Sequence, residues 1–335
     1  MLYPWLHVDH RKSSTSKRKE PIVEGLIMHC TLCYLAGGSI HDIRVTAGMS
    51  ATSFYRSVFR GIDAINSCRG LSLKFPISLE ELHKSADEFH QCSGEGVLNG
   101  CIAALDGWLC RIHVPNAGET LRVTSYFSGH YQCHGLNVQA TCDANCRFTS
   151  VSILCPGGTG DSKAFFSSEV YDLVDTLPDG FYVVADNAYT LSCHLLIPYS
   201  GKEKESSAKD VFNFYLSQLR IRIEQAFGLL VTKWRVFKKP LEVKLWRTTL
   251  VVEAAMRLHN YCIDERDNIV SSISGMNPEA LVPNYEEHLD PLMNVSSSKH
   301  KLHAVPEAIT HQLQSDGWQR PRYNLIRNQD QNRII

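Results

Sequence analysis

The sequence predicts an α/β or α+β core behind a helical N-terminal region. Three observations predict it. Residues 22–92 carry apolar residues at helical spacing, broken by glycine-containing turns. Residues 101–185 hold short apolar runs of strand length separated by turn residues, and residues 211–264 return to long helical periodicity. Strands, a helix, a strand and then helices is the order of a sheet covered by helices.

The elements follow in order. Residues 1–20 are basic and serine-rich (Arg11, Lys12, Lys17, Arg18, Lys19) and lack an apolar segment of the secretory type, so they read as a mobile arm. Residues 21–93 read as a helical region. An apolar segment from Cys30 to Leu35 stops at Gly37-Gly38, a helix follows over 39–47, and Gly48 turns the chain. Ser50 then caps a helix in which Phe54, Val58 and Ile62 recur at helical spacing. Two short helices joined by a glycine turn have the layout of a helix-turn-helix, with Arg56 and Arg60 one turn apart on its second helix as candidate DNA contacts. The plainer reading is a helical hairpin.

From Gly94 the character changes. Cys101 to Ile112 reads as a strand interrupted by Asp106. Asn137–Cys142 and Phe148–Leu154 read as a hairpin across the turn residues Asp143-Ala144-Asn145-Cys146. One helix is expected over 162–173, and Phe181–Ala185 is a buried strand ending at Asp186-Asn187. A long helix is expected over 211–234, where Leu216, Leu219, Ile223, Phe227, Leu230 and Trp234 form one apolar stripe. A last helix spans about 246–264. Residues 266–335 read as a loosely ordered tail, leaving 94–265 as the core domain.

Composition narrows the function. The chain has 335 residues, of which 44% are hydrophobic and 21% charged, ordinary values for a globular protein. No stretch of 18 apolar residues is present, so no membrane association is expected. The net charge is −1, so nucleic-acid binding must rest on local patches. One such patch exists: residues 202–239 carry nine basic residues against four acidic. The 12 cysteines are scattered and read as reduced thiols of a nuclear or cytosolic protein. Cys133, His134, Cys142 and Cys146, and the pair Cys30 and Cys33, are the alternative zinc candidates; their placement in a strand, a turn and an apolar helix favours thiols. The segment Gly157 to Lys163 lacks the Gly-Lys-Ser/Thr order of a phosphate loop.

Two apolar strands carry an aspartate at or near their ends, Asp106 and Asp186, where open α/β sheets place their active sites. A third carboxylate, Glu224, borders the apolar stripe of the long helix, with Arg220 one turn before it and Gly228 one turn after. Three carboxylates on two strands and one helix suit two Mg²⁺ or Mn²⁺ ions, which favour oxygen ligands and act in pairs on phosphodiesters. The alternative for Glu224 is a surface ion pair with Arg220.

These residues carry a resemblance to the transposase nucleases of the Harbinger/PIF group, which place a DDE triad on an RNase H-like fold. The similarity runs from about Gly100 to Asp264, and more weakly over the N-terminal helices. Ala104-Leu105-Asp106-Gly107 resembles the first-Asp strand, and His113-Val114-Pro115 its exit. Tyr126 to Tyr131 resembles the segment leading to the next strand, Gly157 to Phe165 the Gly-to-Asp-Ser motif, and Val184 to Tyr189 the second-Asp strand. Asn213, Ser217, Arg220, Glu224, Phe227 and Gly228 match the catalytic-helix motif, and Leu258 to Cys262 the closing His-Asn motif. Thirty-seven residues separate Asp186 from Glu224, a spacing that suits the triad. Leu216 replaces the family's histidine before Ser217, and Gly160 stands where histidine or glutamine is common.

The resemblance implies an RNase H-like mixed sheet flanked by helices and a metal-dependent DNA endonuclease. Asp106, Asp186 and Glu224 would hold the metal, and Arg220 and Arg222 would touch phosphate or orient Glu224. Asp161 is either a supporting ligand or, as the preferred reading, the cap of the helix that follows. The resemblance also implies nuclear localisation and a separate Myb-like DNA-binding partner; a homo-oligomer is a further expectation. The competing function is a domesticated relative that binds DNA or protein without cleaving.

Overall fold

The computed structural model describes residues 22–93, 96–200, 207–272 and 304–320, with side chains described only to 266 in the third segment. The basic arm at 1–20, Lys202 and Lys204 of the basic patch, and most of the tail lie outside the described residues.

The N-terminal region is helical throughout. Helices α1 (Glu24–Leu35), α2 (Ile40–Thr46), α3 (Ala51–Ser67) and α4 (Leu79–Cys92) follow one another, with a 3₁₀ turn at Arg69–Leu71. Ser39 and Ser50 cap α2 and α3 by accepting from Asp42 N and Ser53 N. Ser78 and Glu81 form a reciprocal capping box on α4. Helix α1 crosses α3 at Gly61, where any Cβ would overlap the Thr31 hydroxyl and lie 2.9 Å from Thr31 Cβ.

The structure amends the helix-turn-helix expectation. The second helix, α3, buries Phe54, Ser57, Val58, Phe59, Gly61, Ile62, Ala64 and Ile65. The preceding helix α2 buries nothing. A recognition helix needs the reverse, an outer second helix with a free face. Arg56 lies on the narrow exposed strip of α3 with Thr52 and Asp63, and Arg60 is half-buried.

The sheet contains β1 (Cys101–Arg111), β2 (Phe127–Ser128), β3 (Cys133–Cys142), β4 (Phe148–Pro156), β5 (Tyr182–Val184) and β6 (Leu195–Leu196). Strand β3 pairs antiparallel with β1 and with β4, the expected hairpin, and short β2 extends β3 at Cys133–His134. Strand β1 pairs parallel with β5, and β5 parallel with β6. This is a mixed sheet of RNase H-like type.

Both sheet faces are covered, which explains why the central strands read as unbroken apolar runs. On one face Ala104, Val138, Ala140, Cys142 and Val184 join a large apolar cluster with Phe212, Leu219, Ile223 and Phe227 of α7 (Ser207–Lys233) and Val251, Val252 and Ala255 of α8 (Leu245–Ser272). The same cluster takes in Cys30, Phe54, Val58 and Ile62, so the N-terminal helices share the core of the sheet. Asn66 of α3 donates to Leu250 O at 3.0 Å, and the Arg247 guanidinium stacks over Phe59 at 4.0 Å. On the other face Ile102, Leu105, Val183 and Ala185 pack with Leu82, Phe165, Val170 and Tyr189.

Two further expectations are corrected. The helix over 162–173 is two, α5 (Asp161–Phe166) and α6 (Glu169–Asp175), because Ser168 caps α6 by accepting from Tyr171 N. The tail is not loose throughout: α8 runs to Ser272, and α9 (Ala304–Ser315) docks on α7, burying Leu313 to 3% exposure. Tyr199 Oη lies 3.3 Å from Thr310 Oγ1, and Arg320 pairs with Asp210 at 3.3 Å.

Candidate active site

Parallel pairing places the two strand aspartates side by side. Ala104 is in register with Val184, so Asp106 and Asp186, each two residues further on, reach the same end of the sheet. Side chains alternate along a strand, so both face the helix α7 side. Trp108, on the same face of β1 as Asp106, packs on Phe227 of α7 at 5.7 Å.

Each aspartate is held by its own turn. The Asp106 carboxylate accepts from Gly107 N at 2.7 Å, and Asp186 Oδ1 accepts from Ala188 N at 2.8 Å. Burial first, and then the neighbouring Asp186 carboxylate, push the Asp106 carboxyl up to about 8, against the Gly107 N–H and Arg220. Burial likewise raises Asp186, against the Ala188 N–H and Arg220. Asp161 and then Glu224 add to the rise at Asp186, and Glu224 adds to that at Asp106. Two carboxyls in this state form a buried acidic pair short of positive charge.

Helix α7 supplies the third acid and a cation. Arg220 Nη1 lies 2.5 Å from Glu224 Oε1, one turn along, and its charge is felt at Asp106 and Asp186. Glu224 is 39% exposed, so it stands at the mouth of the site rather than in its floor. The remaining motif residues have structural duties. Asn213 clamps the backbone of Tyr199, accepting from its N at 2.8 Å and donating to its O at 2.9 Å. Ser217 bonds back to Phe214 O within its own helix. Phe227 packs between Trp108 and Phe148. The His-Asn motif is a second clamp: His259 Nε2 donates to Cys146 O at 2.9 Å, while Asn260 accepts from Phe148 N and donates to its O.

Two of the sequence-derived assignments move. Arg222 turns to the β3–β4 corner, where its charge acts on Cys142 and Cys146 and its Nε is buried without a partner. That removes it from the phosphate side of Arg220. Asp161 is not a helix cap: Gly160 occupies that position and no side chain caps α5. The Asp161 carboxylate instead accepts from Asn137 Nδ2 at 2.9 Å and Gln139 Nε2 at 3.1 Å. It sits against Gly107, where a Cβ would overlap its Oδ1. Gly107 pairs with Gln139 across β1 and β3, one residue out of phase with Asp106, so Asp161 lies on the opposite sheet face from Asp106.

Asn137, Gln139 and Tyr189 are polar side chains that sequence reading left without a role. Their signal is the period-two run Asn137, Gln139, Thr141 inside an apolar strand, three buried polar residues on one face. The glycines before α5 serve the backbone: Gly157 N donates to Gly135 O of β3 and Gly158 N to Ser125 O in the 3₁₀ turn before β2, so this loop is spent on backbone contacts. All 12 cysteines are free thiols.

A divalent cation is implied by the resemblance, and the donor chemistry suits one. Asp106, Asp186 and Glu224 offer only carboxylate oxygens, around a buried pair whose nearby cation, Arg220, is itself paired with Glu224. Among the described residues, no three His, Cys, Asp or Glu side chains converge closely enough to hold one ion. Glu224 is paired with Arg220 in this arrangement.

Comparison with known proteins agrees with this architecture. Residues 105–260 match the family model described as DDE superfamily endonuclease, a span that runs from β1 through the Asn260 clamp. Over that span, just under half of the chain, the sequence is similar to DDE superfamily endonucleases. A relative, "Protein ALP1-like" of Arabidopsis thaliana, is 25% identical over 251 residues, covering 69% of this chain and 58% of that protein. The chain therefore spans less than two thirds of that relative's length. No solved structure matches. Among the described residues no helix is long and apolar enough to cross a membrane.

Proposed function

We propose that this chain is a divalent-metal-dependent DNA endonuclease of the Harbinger/PIF transposase type. The observation that supports it most is the pairing of β1 with β5, which sets Asp106 and Asp186 side by side beneath the helix bearing Glu224. Asp106, Asp186 and Glu224 would hold Mg²⁺ or Mn²⁺. Bound there, such ions supply an activated water or hydroxyl and charge stabilisation at the leaving oxygen of a phosphodiester. The chain's own part is to hold Asp106 rigidly within β1 and Asp186 just past the end of β5, and to exclude water with the Trp108, Phe227 and Phe237 cluster beside them. Glu224 must turn from Arg220 toward the aspartates. Arg220, thus released, is well placed to pair with a DNA phosphate. DNA, a separate Myb-like DNA-binding protein and a second copy of the chain are the proposed partners, in the nucleus.

The test is nicking of supercoiled plasmid with Mg²⁺ or Mn²⁺ by the full chain, beside Asp106→Asn and Asp186→Asn. Both changes keep shape and remove charge, and cleavage should fall at least about a hundredfold, roughly 2.7 kcal/mol of barrier, while DNA affinity stays within about threefold. A wild-type chain that binds DNA but cleaves with neither metal would support the other reading, a binding protein that keeps the fold. The Arg220–Glu224 pair is the observation that favours that alternative.

A further inference from the structure

A connected polar network lies behind the acidic pair. The Tyr189 hydroxyl donates to Gln139 Oε1 at 2.7 Å. Gln139 Nε2 in turn donates to Asn137 Oδ1 at 2.7 Å and to Asp161 Oδ1 at 3.1 Å. Asn137 Nδ2 donates to the same Asp161 oxygen at 2.9 Å and to Thr159 O at 2.9 Å. Gln139 is 1% exposed and Tyr189 4%. Buried polar groups of this kind are costly unless bonded, and a fully bonded set fixes one geometry.

The network joins four pieces of chain: strand β3, the start of α5, the β1 backbone at Gly107, and the turn after β5. That turn runs from Asp186 to Tyr189, closed by the Ala188 N–H on Asp186 and the Tyr189 N–H on Asp186 O. Ser162 Oγ, 3.0 Å from Thr190 Oγ1, ties α5 to the next residue of the turn. Tyr189 packs on Phe165 at 5.8 Å, on the face of the sheet away from α7, while Asp186 points to α7. The tyrosine therefore holds from behind the turn that presents the aspartate in front.

We propose that Tyr189, Gln139, Asn137 and Asp161 are a positioning network that fixes the Asp186 turn against β1, and that Asp161 acts through these hydrogen bonds and not as a metal ligand. This rests on the metal-centre reading above. It gives Gly107 its reason: the Asp161 carboxylate and Gln139 Nε2, 2.8 Å from where a Cβ would sit, occupy that space. It also makes a chemical distinction. Asp161 serves as an acceptor for two amide N–H groups, a duty the neutral Oδ1 of an asparagine can also perform. A ligand would need its charge.

The experiment is Mn²⁺ binding to the full chain, by titration calorimetry or by loss of the free-ion electron-resonance signal, with the melting temperature of the metal-free protein measured alongside. Supporting groups behind metal ligands typically govern affinity by about 10–100-fold. Tyr189→Phe, which removes one oxygen and keeps the ring, should weaken Mn²⁺ binding about tenfold, and Asp161→Ala at least as much. Asp161→Asn should stay within about threefold of wild type, the conservative change restoring the acceptor. Equal loss in Asp161→Asn and Asp161→Ala would make Asp161 a ligand and overturn the proposal. Wild-type affinity in both Tyr189→Phe and Asp161→Ala, with only a lower melting temperature, would overturn it the other way. A wild-type chain binding Mn²⁺ no better than Asp106→Asn would remove the metal centre itself and the network's role with it.

Discussion

Glu224 and Arg220 are each able to play two roles, and substitution separates them. A half-exposed ion pair contributes about 0.2–1 kcal/mol, so as mere partners the two would give similar, mild variants. As a metal-holding acid, Glu224→Gln should lower cleavage at least about a hundredfold, while Arg220→Ala should leave Mn²⁺ binding intact and weaken DNA binding with a shallower salt dependence. Plasmid nicking and salt-dependent DNA titration check this, and a Glu224→Gln chain cleaving within about threefold of wild type would remove Glu224 from the centre. His259 gives a second prediction at this scale. Burial depresses its imidazole from 6.5 to about 4, so the folded chain binds fewer protons than the unfolded one. The stability it contributes is complete above about pH 6.5 and is lost as pH falls toward 4, roughly 3 kcal/mol in all. Urea denaturation from pH 7.5 to 4.5 should show that slope, and His259→Gln should flatten it.

Elements are aimed here by asparagine clamps and by close helix contact. Asn213 ties α7 to the segment after β6, and Asn260 ties α8 to the start of β4, each bonding both the N–H and the C=O of one residue. Alanine at either position strands two backbone groups, so each change should cost about 1–3 kcal/mol in chemical denaturation. Loss of the Asn213 clamp should also lower cleavage, since α7 carries Glu224. The α1–α3 crossing depends on Gly61. Gly61→Ala should destabilise by about 1–3 kcal/mol through overlap with the Thr31 hydroxyl. Thr31→Ala added to it removes the hydroxyl and methyl but leaves the Cβ, 2.9 Å from the new one, and should return part of the loss.

Across the whole molecule, one apolar cluster runs from the N-terminal helices through the sheet to α7 and α8, so these parts should unfold together. The docked C-terminal helix adds to the same body. Leu313 is buried between α9 and α7, and Trp318 meets Tyr215 at 6.1 Å between ring centres. Leu313→Ala should cost roughly 2–5 kcal/mol if α9 belongs to that cooperative unit. A single melting transition shifted downward is the expected result, whereas an unchanged transition would show that α9 melts separately.

The local signals were legible without a structure. Apolar runs bounded by Asp, Asn and Gly marked β1, the β3–β4 hairpin and β5; Ser50 marked the start of α3; and Asp106 and Asp186 stood out as charges on otherwise apolar strands. Each depends on residues close in sequence, where spacing and side-chain type carry the physics. The tertiary structure decided the rest. Ser167-Ser168 broke one helix into two because a serine cap competed with helix continuation. Helix α9 is defined by what it docks on, as short helices gain most of their stability from packing. The sheet face taken by Asp161 follows from the β1–β3 register, in which Gly107 meets Gln139. The direction of Arg222 follows from where the hairpin corner lies. Asn137, Gln139 and Thr141 showed a polar face in the sequence, yet the partners that give Gln139 its role, Asp161 and Tyr189, stand 22 and 50 residues away. Strand register and helix docking are set by contacts between distant segments, and those contacts alone decide which side of the sheet a charge will face.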